Sequence, residues 1–487
     1  MRIGQWFLIV LGLAVVGAGC GGNDGSSDDA APAAPNAPAT TEEQVTTTRF
    51  VDSSGFAEEV LPIIEFTCAR CHTGGGPGTP HLRLETVADA IENSDLIVEA
   101  VGLGAMPPWP SSNLSVAFKN DWSLTATERD ALIAWARRPL TDLDPTTPIT
   151  STAGIKTLSD VDYEIAPLGG YDGEQDQPDE YRCLIYDLPF DETTWIKGYE
   201  FVPDQTEVVH HAIGYKLGGE QRAAADVLAA NDPENGGWTC FGGTGLPDQR
   251  VLGWVPGLGP REYPEGSGLR LRADDFIVIQ VHYHYEVEAP VDFSSLRLDV
   301  AGTEELPLDS VESVRFFAPA EIPCASWEEG PLCERSAALA AAEAKYGEAG
   351  TQANLINSIC EASPEDFAHM TDGVASASCD LPVREGGQIV SVLGHEHEIG
   401  ASFRMTLNPG SPDELILLDI PDWDFQWQLA YEPVDEIFVK PADIIRIECS
   451  WDRSLRDDDL EPAYVLWADG THDEMCFATV GVREVVR

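Results

Sequence analysis

A chain of 487 residues with 83 acidic and 29 basic side chains carries a formal charge of −54, which repels phosphate backbones and anionic lipid and excludes nucleic acid as a partner. Its length exceeds what one hydrophobic core organises, so about three folded units are expected. The 43% hydrophobic content is that of globular protein, and past residue 20 no stretch is long and apolar enough to span a bilayer. The acidic residues are spread along the chain, the pattern of a solvated surface suited to high salt, where screening relieves self-repulsion.

Residues 1–20 read as a lipoprotein signal peptide. Met1-Arg2-Ile3 leads into an apolar run from Trp6 to Val16, and Gly17-Ala18-Gly19-Cys20 resembles a bacterial lipobox with Cys20 lipidated. Gly17 stands where Leu is usual. The expected location is the periplasmic face of the outer membrane or the cell surface, with the lipid as the sole membrane contact. Disulfides persist in that setting. Residues 21–48, rich in Gly, Ser, Asp, Ala, Pro and Thr, are too poor in large apolar side chains to fold and read as a disordered linker.

Residues 49–145 read as a small all-α unit. Helical spacing of apolar residues runs through Phe56–Phe66, Leu84–Val101 and Thr125–Arg137. In the last of these, Thr127 and Asp130 are spaced as cap and third position of a capping box. Cys68-Ala69-Arg70-Cys71-His72 is the attachment signature of c-type haem, with two thioether links and His72 as proximal ligand. A redox dithiol or half a zinc site would not account for the His. Met106, ahead of Pro107-Pro108, is the expected sixth ligand, with His81 as the alternative. The segment resembles a monohaem cytochrome c.

Past Asp144 short alternating apolar runs broken by Gly, Pro, Asn and Asp clusters predict strands, enough for two all-β sandwiches over 146–308 and 309–487. Ser336–Tyr346 is Ala-rich and predicted helical, inside a disulfide-pinned insertion over 320–382. Of eleven cysteines, Cys20 is assigned to lipid and Cys68 and Cys71 to the cofactor. Eight remain (Cys183, Cys240, Cys324, Cys333, Cys360, Cys379, Cys449 and Cys476), enough for four bridges.

Histidines cluster in three places. His210 and His211 are adjacent, so both can serve one metal only at a bulge or a strand end. In Gln280-Val281-His282-Tyr283-His284 the two imidazoles share a strand face. In Gly394-His395-Glu396-His397-Glu398-Ile399-Gly400 they do so again. A thioether from Met475, in Asp473-Glu474-Met475-Cys476, would complete a soft-leaning His-His-Met set suited to copper.

Taken in order, His-His, Gln-Val-His-Tyr, Gly-His-x-His-x-x-Gly and Asp-Glu-Met-Cys resemble the copper type II, ascorbate-dependent monooxygenases. That family includes peptidylglycine α-hydroxylating monooxygenase and dopamine β-monooxygenase, and the resemblance covers about residues 160–485. It implies jelly-roll-like sandwiches, an electron-transfer copper on His210, His211 and His282, and a catalytic, oxygen-activating copper on His395, His397 and Met475. It further implies hydroxylation of a C–H bond of a small organic substrate by O2, with an ascorbate-like or redox-protein donor. Cys449 and Cys476 resemble a family bridge, and Cys183 is expected to pair with Cys240. His284 has no counterpart in the family pattern. Where the peptide-amidating enzymes hold a substrate carboxylate, this chain has Leu393, Phe477 and Thr479, so a neutral or hydrophobic, non-peptide substrate is expected. Trp423–Gln428 reads as core and turn. The haem would feed electrons to the coppers; the alternative is a haem and copper electron-transfer or copper-holding protein that hydroxylates nothing.

Overall fold

In a computed structural model of the chain the described residues run from 55 to 484, leaving out 75, 77, 80, 139–142, 153–156, 168, 174–178, 232–236, 241–242, 256–257, 286–289, 348–350, 458 and 469. The expectations for the signal peptide, Cys20 and the linker fall outside these residues.

Phe56, Val60 and Ile64 recur at helical spacing, and the chain is helical from Phe56 to His72, with two wide π-type stretches at Phe56–Val60 and Ile64–Cys68. The apolar face packs with Leu84, Val87, Ile97, Val101, Leu132 and Trp135 into one buried cluster. The pattern over 84–101 resolves into two helices, Val87–Glu92 and Ser94–Gly102. They break at Asn93, whose Nδ2 donates to the Asp89 carbonyl at 2.8 Å. The next helix, Ala126–Ala136, corrects the expected cap. Thr125 is extended and forms the capping box with Glu128, so Thr127 lies inside the first turn. A reciprocal box needs a carboxylate three residues after the cap, and Thr125-x-x-Glu128 supplies it before Thr127 can act.

Beyond these helices the described residues are mostly β-sheet, in an arrangement consistent with β-sandwiches. A five-stranded sheet runs Trp238–Thr239, Asp179–Tyr186, Phe276–His284, Val209–Leu217 and Gln249–Trp254. It packs through Leu184, Ile279, Val281 and Trp254 against Ile196, Phe201, Leu269 and Leu296 of a second sheet. A four-stranded sheet, Val374–Pro382, Ile444–Asp452, Gly400–Leu407 and Leu415–Ile420, covers the far half of that same second sheet. Along Ile444–Asp452 burial alternates, with Ile445, Ile447, Cys449 and Trp451 pointing inward.

The second sheet has nine strands and belongs to both halves. It runs Tyr163–Ile165, Ser295–Val300, Thr194–Val202, Ser267–Leu271, Asp309–Phe317, Phe477–Arg483, Gly387–His395 and Ile437–Val439, with Arg261–Glu262 beside Thr194–Val202. The two halves join by parallel pairing of Asp309 with Ser267 and Ser310 with Gly268. Hydrogen bonding therefore continues across the stretch 306–310, where the sequence suggests a division.

Four disulfides are present: Cys183–Cys240, Cys324–Cys333, Cys360–Cys379 and Cys449–Cys476. Cys68 and Cys71 are free thiols. The insertion carries the helix Arg335–Tyr346, one residue longer than its Ala-rich pattern, and two short helices, Ala353–Ile359 and Pro364–Phe367.

Candidate functional site

Val209–Leu217 pairs antiparallel with Phe276–His284, and the register slips between Val209 and His211, with His211 opposite His282. The slip breaks the strict alternation of faces and lets both His210 and His211 turn towards His282. The three Nδ1 atoms lie 3.4 Å (His210–His211), 3.2 Å (His210–His282) and 3.3 Å (His211–His282) apart. A metal bound by three imidazoles at ~2.0–2.1 Å with tetrahedral angles sets its nitrogens about 3.3 Å apart. The cluster thus has the dimensions of a three-nitrogen metal site. His282 is buried and stacked on Tyr181, with ring centroids 4.2 Å apart. Burial, then the neighbouring imidazoles, hold His211 well below the ordinary histidine range, which keeps its lone pair free for a cation. His284 stands further off, its ring 6.2 Å from that of His210.

His395 ends the strand Gly387–His395, and His397 opens the turn that follows. Gly394 is required there, because a Cβ would meet the Phe403 ring at 2.5 Å. The two rings are 5.0 Å apart. His395 Nδ1 bonds Gln428 Oε1, and His397 Nδ1 lies 3.1 Å from the Asp473 carbonyl. Each contact ties up Nδ1 and leaves Nε2 for a ligand, as outer hydrogen bonds orient metal-binding imidazoles. Burial and then His397 bring His395 down to about 3, and burial brings His397 down to about 4. His210, His211, His395, His397 and Met475 all line one cavity of about 330 Å³. Two contacts cross it between the halves: His210 Nε2 to Gln426 Oε1 at 2.7 Å, and Tyr181 Oη to Thr471 Oγ1 at 3.0 Å.

Beneath this set lies a carboxylate. Glu474 is fully buried and accepts backbone N–H bonds from His397 (2.9 Å), Ile399 (3.0 Å) and Met475 (3.1 Å), and the Trp451 indole N–H (3.1 Å). Burial pushes it up to about 8 against those four donors. Glu396 is also fully buried, and both its carboxyl oxygens lack a partner. Burial, then Glu474, raise it well above the carboxylate range, which favours its neutral form.

His72 is buried, with Nδ1 2.6 Å from the Leu82 carbonyl, which again leaves Nε2 free. Gly78 packs so closely that a Cβ would sit 2.7 Å from the imidazole. Burial, then Cys71, push the Cys68 thiol up to about 12, the opposite of a reactive dithiol. Cys68, Cys71, His72, His81 and Met106 line a cavity of about 670 Å³, and His210, His282 and His284 line it too. Both candidate sixth ligands, Met106 and His81, thus face the same space as His72.

Sequence reasoning missed Gln426 and Gln428, set aside as core and turn. Both line the cavity, but Gln426 lies in a turn and Gln428 in irregular backbone, so no strand alternation signals them; His397 likewise lies beyond the strand that ends at His395, off the shared strand face its spacing predicts. Glu396 and Glu474 carried a signal, each being an acid adjacent to a candidate ligand. His472 pairs with Glu398 at 2.7 Å. Leu393 and Phe477, singled out as substrate-side positions, line the cavity of the candidate metal ligands.

No protein-family model matches the sequence, and a search of curated proteins finds no match. Among solved structures, one of allantoicase aligns over 56% of this chain and 78% of its own, at 13% identity and a TM-score of 0.14. A likeness that slight carries no argument about fold or function.

Proposed function

We propose that this chain is an exported, lipid-anchored copper-dependent monooxygenase with a c-type haem as built-in electron donor. Its two jelly-roll-like sandwiches would follow a cytochrome c-like unit. The observation that carries the reading is the shared cavity: His210 and His211 on one half, and His395, His397 and Met475 on the other, line one space with Gln426 reaching across. Three imidazole nitrogens at metal-site spacing and a His-His-Met set are donor groups that fit copper in both oxidation states. Copper at the two sets would supply single-electron chemistry to O2, with net conversion of a C–H bond, O2, two electrons and two protons into an alcohol and water.

The protein's own residues do the rest. Gln428 and the Asp473 carbonyl fix the rings of His395 and His397. Glu474 holds the His397 and Met475 backbones at one fixed offset. Gln426 tethers His210 to the opposite wall. Cys68, Cys71, His72 and Met106 fit a covalent haem, and their cavity also carries His282 and His284 in its wall. A haem held there would supply single-electron transfer fed by a redox protein or an ascorbate-like donor, and His282 and His284 in the same wall would set the three-histidine site beside it.

Metal content and copper EPR on the purified chain, beside Met475→Ala, test this. One haem and two coppers are expected, with one copper signal lost or altered in the variant. A folded chain that takes haem but no stoichiometric copper, when copper is supplied, overturns the reading.

A further inference from the structure

Next to the cavity of the candidate metal ligands lies a second chamber of about 260 Å³. Arg250, Gly253, Leu258, Leu393 and Ala430 line both, so the two communicate along a shared wall. Three arginines, Arg70, Arg250 and Arg261, contribute to the second chamber. That is unusual in a chain where acids outnumber bases 83 to 29. Elsewhere arginines find carboxylates: Arg315 bonds Asp248, Arg335 bonds Glu321, Arg453 bonds Glu328 and Arg483 bonds Asp309.

Arg250 is different. It is surrounded by protein, keeps part of its surface towards the chambers, and has no carboxylate within salt-bridge distance among the described residues. Its titratable neighbours are another cation, Arg315, the neutral phenols of Tyr199 and Tyr215, and the imidazoles of His211 and His395. Burial, with Arg315, holds its guanidinium below the ordinary range, and no carboxylate among the described residues offsets that. Arg70 stacks on Trp122 at 4.2 Å, with no carboxylate within salt-bridge distance among the described residues. Two carboxylates do line the chamber, and both are engaged. Glu432 pairs with Lys119 at 3.8 Å and lies near Arg261, and Glu312 takes bonds from Gln249 and Ser310. The remaining walls are apolar, with Leu252, Leu258, Leu269 and Leu393 among them.

A buried guanidinium without an anion is costly, and a carboxylate is the group its planar fork matches best. We propose that this chamber binds a small organic carboxylate, whose carboxylate pairs with Arg250 at the junction of the chambers and whose apolar body reaches the His395/His397/Met475 cavity. As a substrate class this rests on the monooxygenase reading; as a binding site it does not. It revises the expectation of a neutral substrate drawn from Leu393, Phe477 and Thr479, since the charge comes from another strand.

The test is calorimetric titration of 3-phenylpropionate, hexanoate and the neutral 3-phenylpropanamide into the full chain as purified, under nitrogen so that nothing turns over. The acid is expected to bind about tenfold or more tighter than its amide. Arg250→Gln should erase that preference and leave amide binding unchanged, and Arg250→Lys should keep part of it. Arg222→Gln, at an exposed arginine bonded to Asp187 and Asp226, should change nothing. Equal binding of acid and amide, failure of both acids to bind at millimolar concentration, or an unaltered Arg250→Gln overturns the proposal. Should Arg250→Gln not fold, Arg261→Gln and the parent's preference for acid over amide decide it. Carboxylate binding without substrate-dependent oxygen uptake would retire the monooxygenase and keep the site.

Discussion

Glu474 Oε2 accepts the backbone N–H of His397 at 2.9 Å, fastening the end of one candidate ligand segment to the stretch, just ahead of the strand Phe477–Arg483, that carries another. The same oxygen takes the N–H of Met475. One buried carboxylate thus sets the offset between His397 and Met475, and its removal leaves four donors without an acceptor.

Glu474→Ala is therefore expected to cost at least about 3 kcal/mol of folding free energy, because each buried unsatisfied donor carries a penalty of about 1–3 kcal/mol. Glu474→Gln should fall between the two, since an amide offers one acceptor oxygen where the carboxylate offers two. Urea unfolding of the variants checks the order. A Glu474→Ala protein as stable as its parent would show that the clamp is idle.

The pH dependence has two arms. His395 and His397 have folded values near 3 and 4, below the ordinary value of about 6.5. The unfolded chain therefore binds protons first, and stability falls as pH drops from about 6.5 towards those folded values. Glu474, held up at about 8, acts with the opposite sign. Its contribution is complete below the ordinary carboxylate value of about 4.5 and is lost as pH rises through 8. Thermal midpoints of the metal-free chain should peak between the two arms, and Glu474→Gln should flatten the alkaline one.

Replacing Cys449 and Cys476 by Ser opens a loop of 27 residues and should lower stability by about 3 kcal/mol. Cys449 pairs beside Phe403 in the four-stranded sheet, and Cys476 follows Met475. The variant should therefore also weaken metal retention at the His395/His397/Met475 set. Copper content after dialysis measures that, with Cys324→Ser/Cys333→Ser as the control bridge in the insertion.

Cys68→Ser with Cys71→Ser should abolish covalent haem, read as loss of the pyridine haemochrome band, and should leave copper content intact. Met106→Ala should keep the covalent haem and change its visible spectrum. An unchanged spectrum would point to His81, which lines the same cavity.

Local rules carried much of this architecture. The alternation in Ile444–Glu448 gives a strand because a half-buried sheet imposes a period of two, whereas Gln388–Leu393 is a nearly continuous apolar run whose strand is buried on both faces. Adjacent His210 and His211 demand a bulge if both are to meet one partner, and the register slip at Val209 supplies it. What the sequence does not expose is partnership between distant segments. Gln426 looks like a turn residue until His210 lies opposite. Arg250 looks like a strand arginine until every nearby acid proves to be engaged elsewhere. The cap is a local matter, yet Thr125 and Thr127 each have an acid three residues on, Glu128 and Asp130, so spacing alone does not choose between them.

The pairing of Asp309 and Ser310 with Ser267 and Gly268 has a further consequence. A hinge at that point would have to break those parallel pairs inside a continuous sheet, so widening the space between the two sets of candidate ligands costs backbone hydrogen bonds. Traffic across it then depends first on its contents, whether water, Gln426 or a bound molecule.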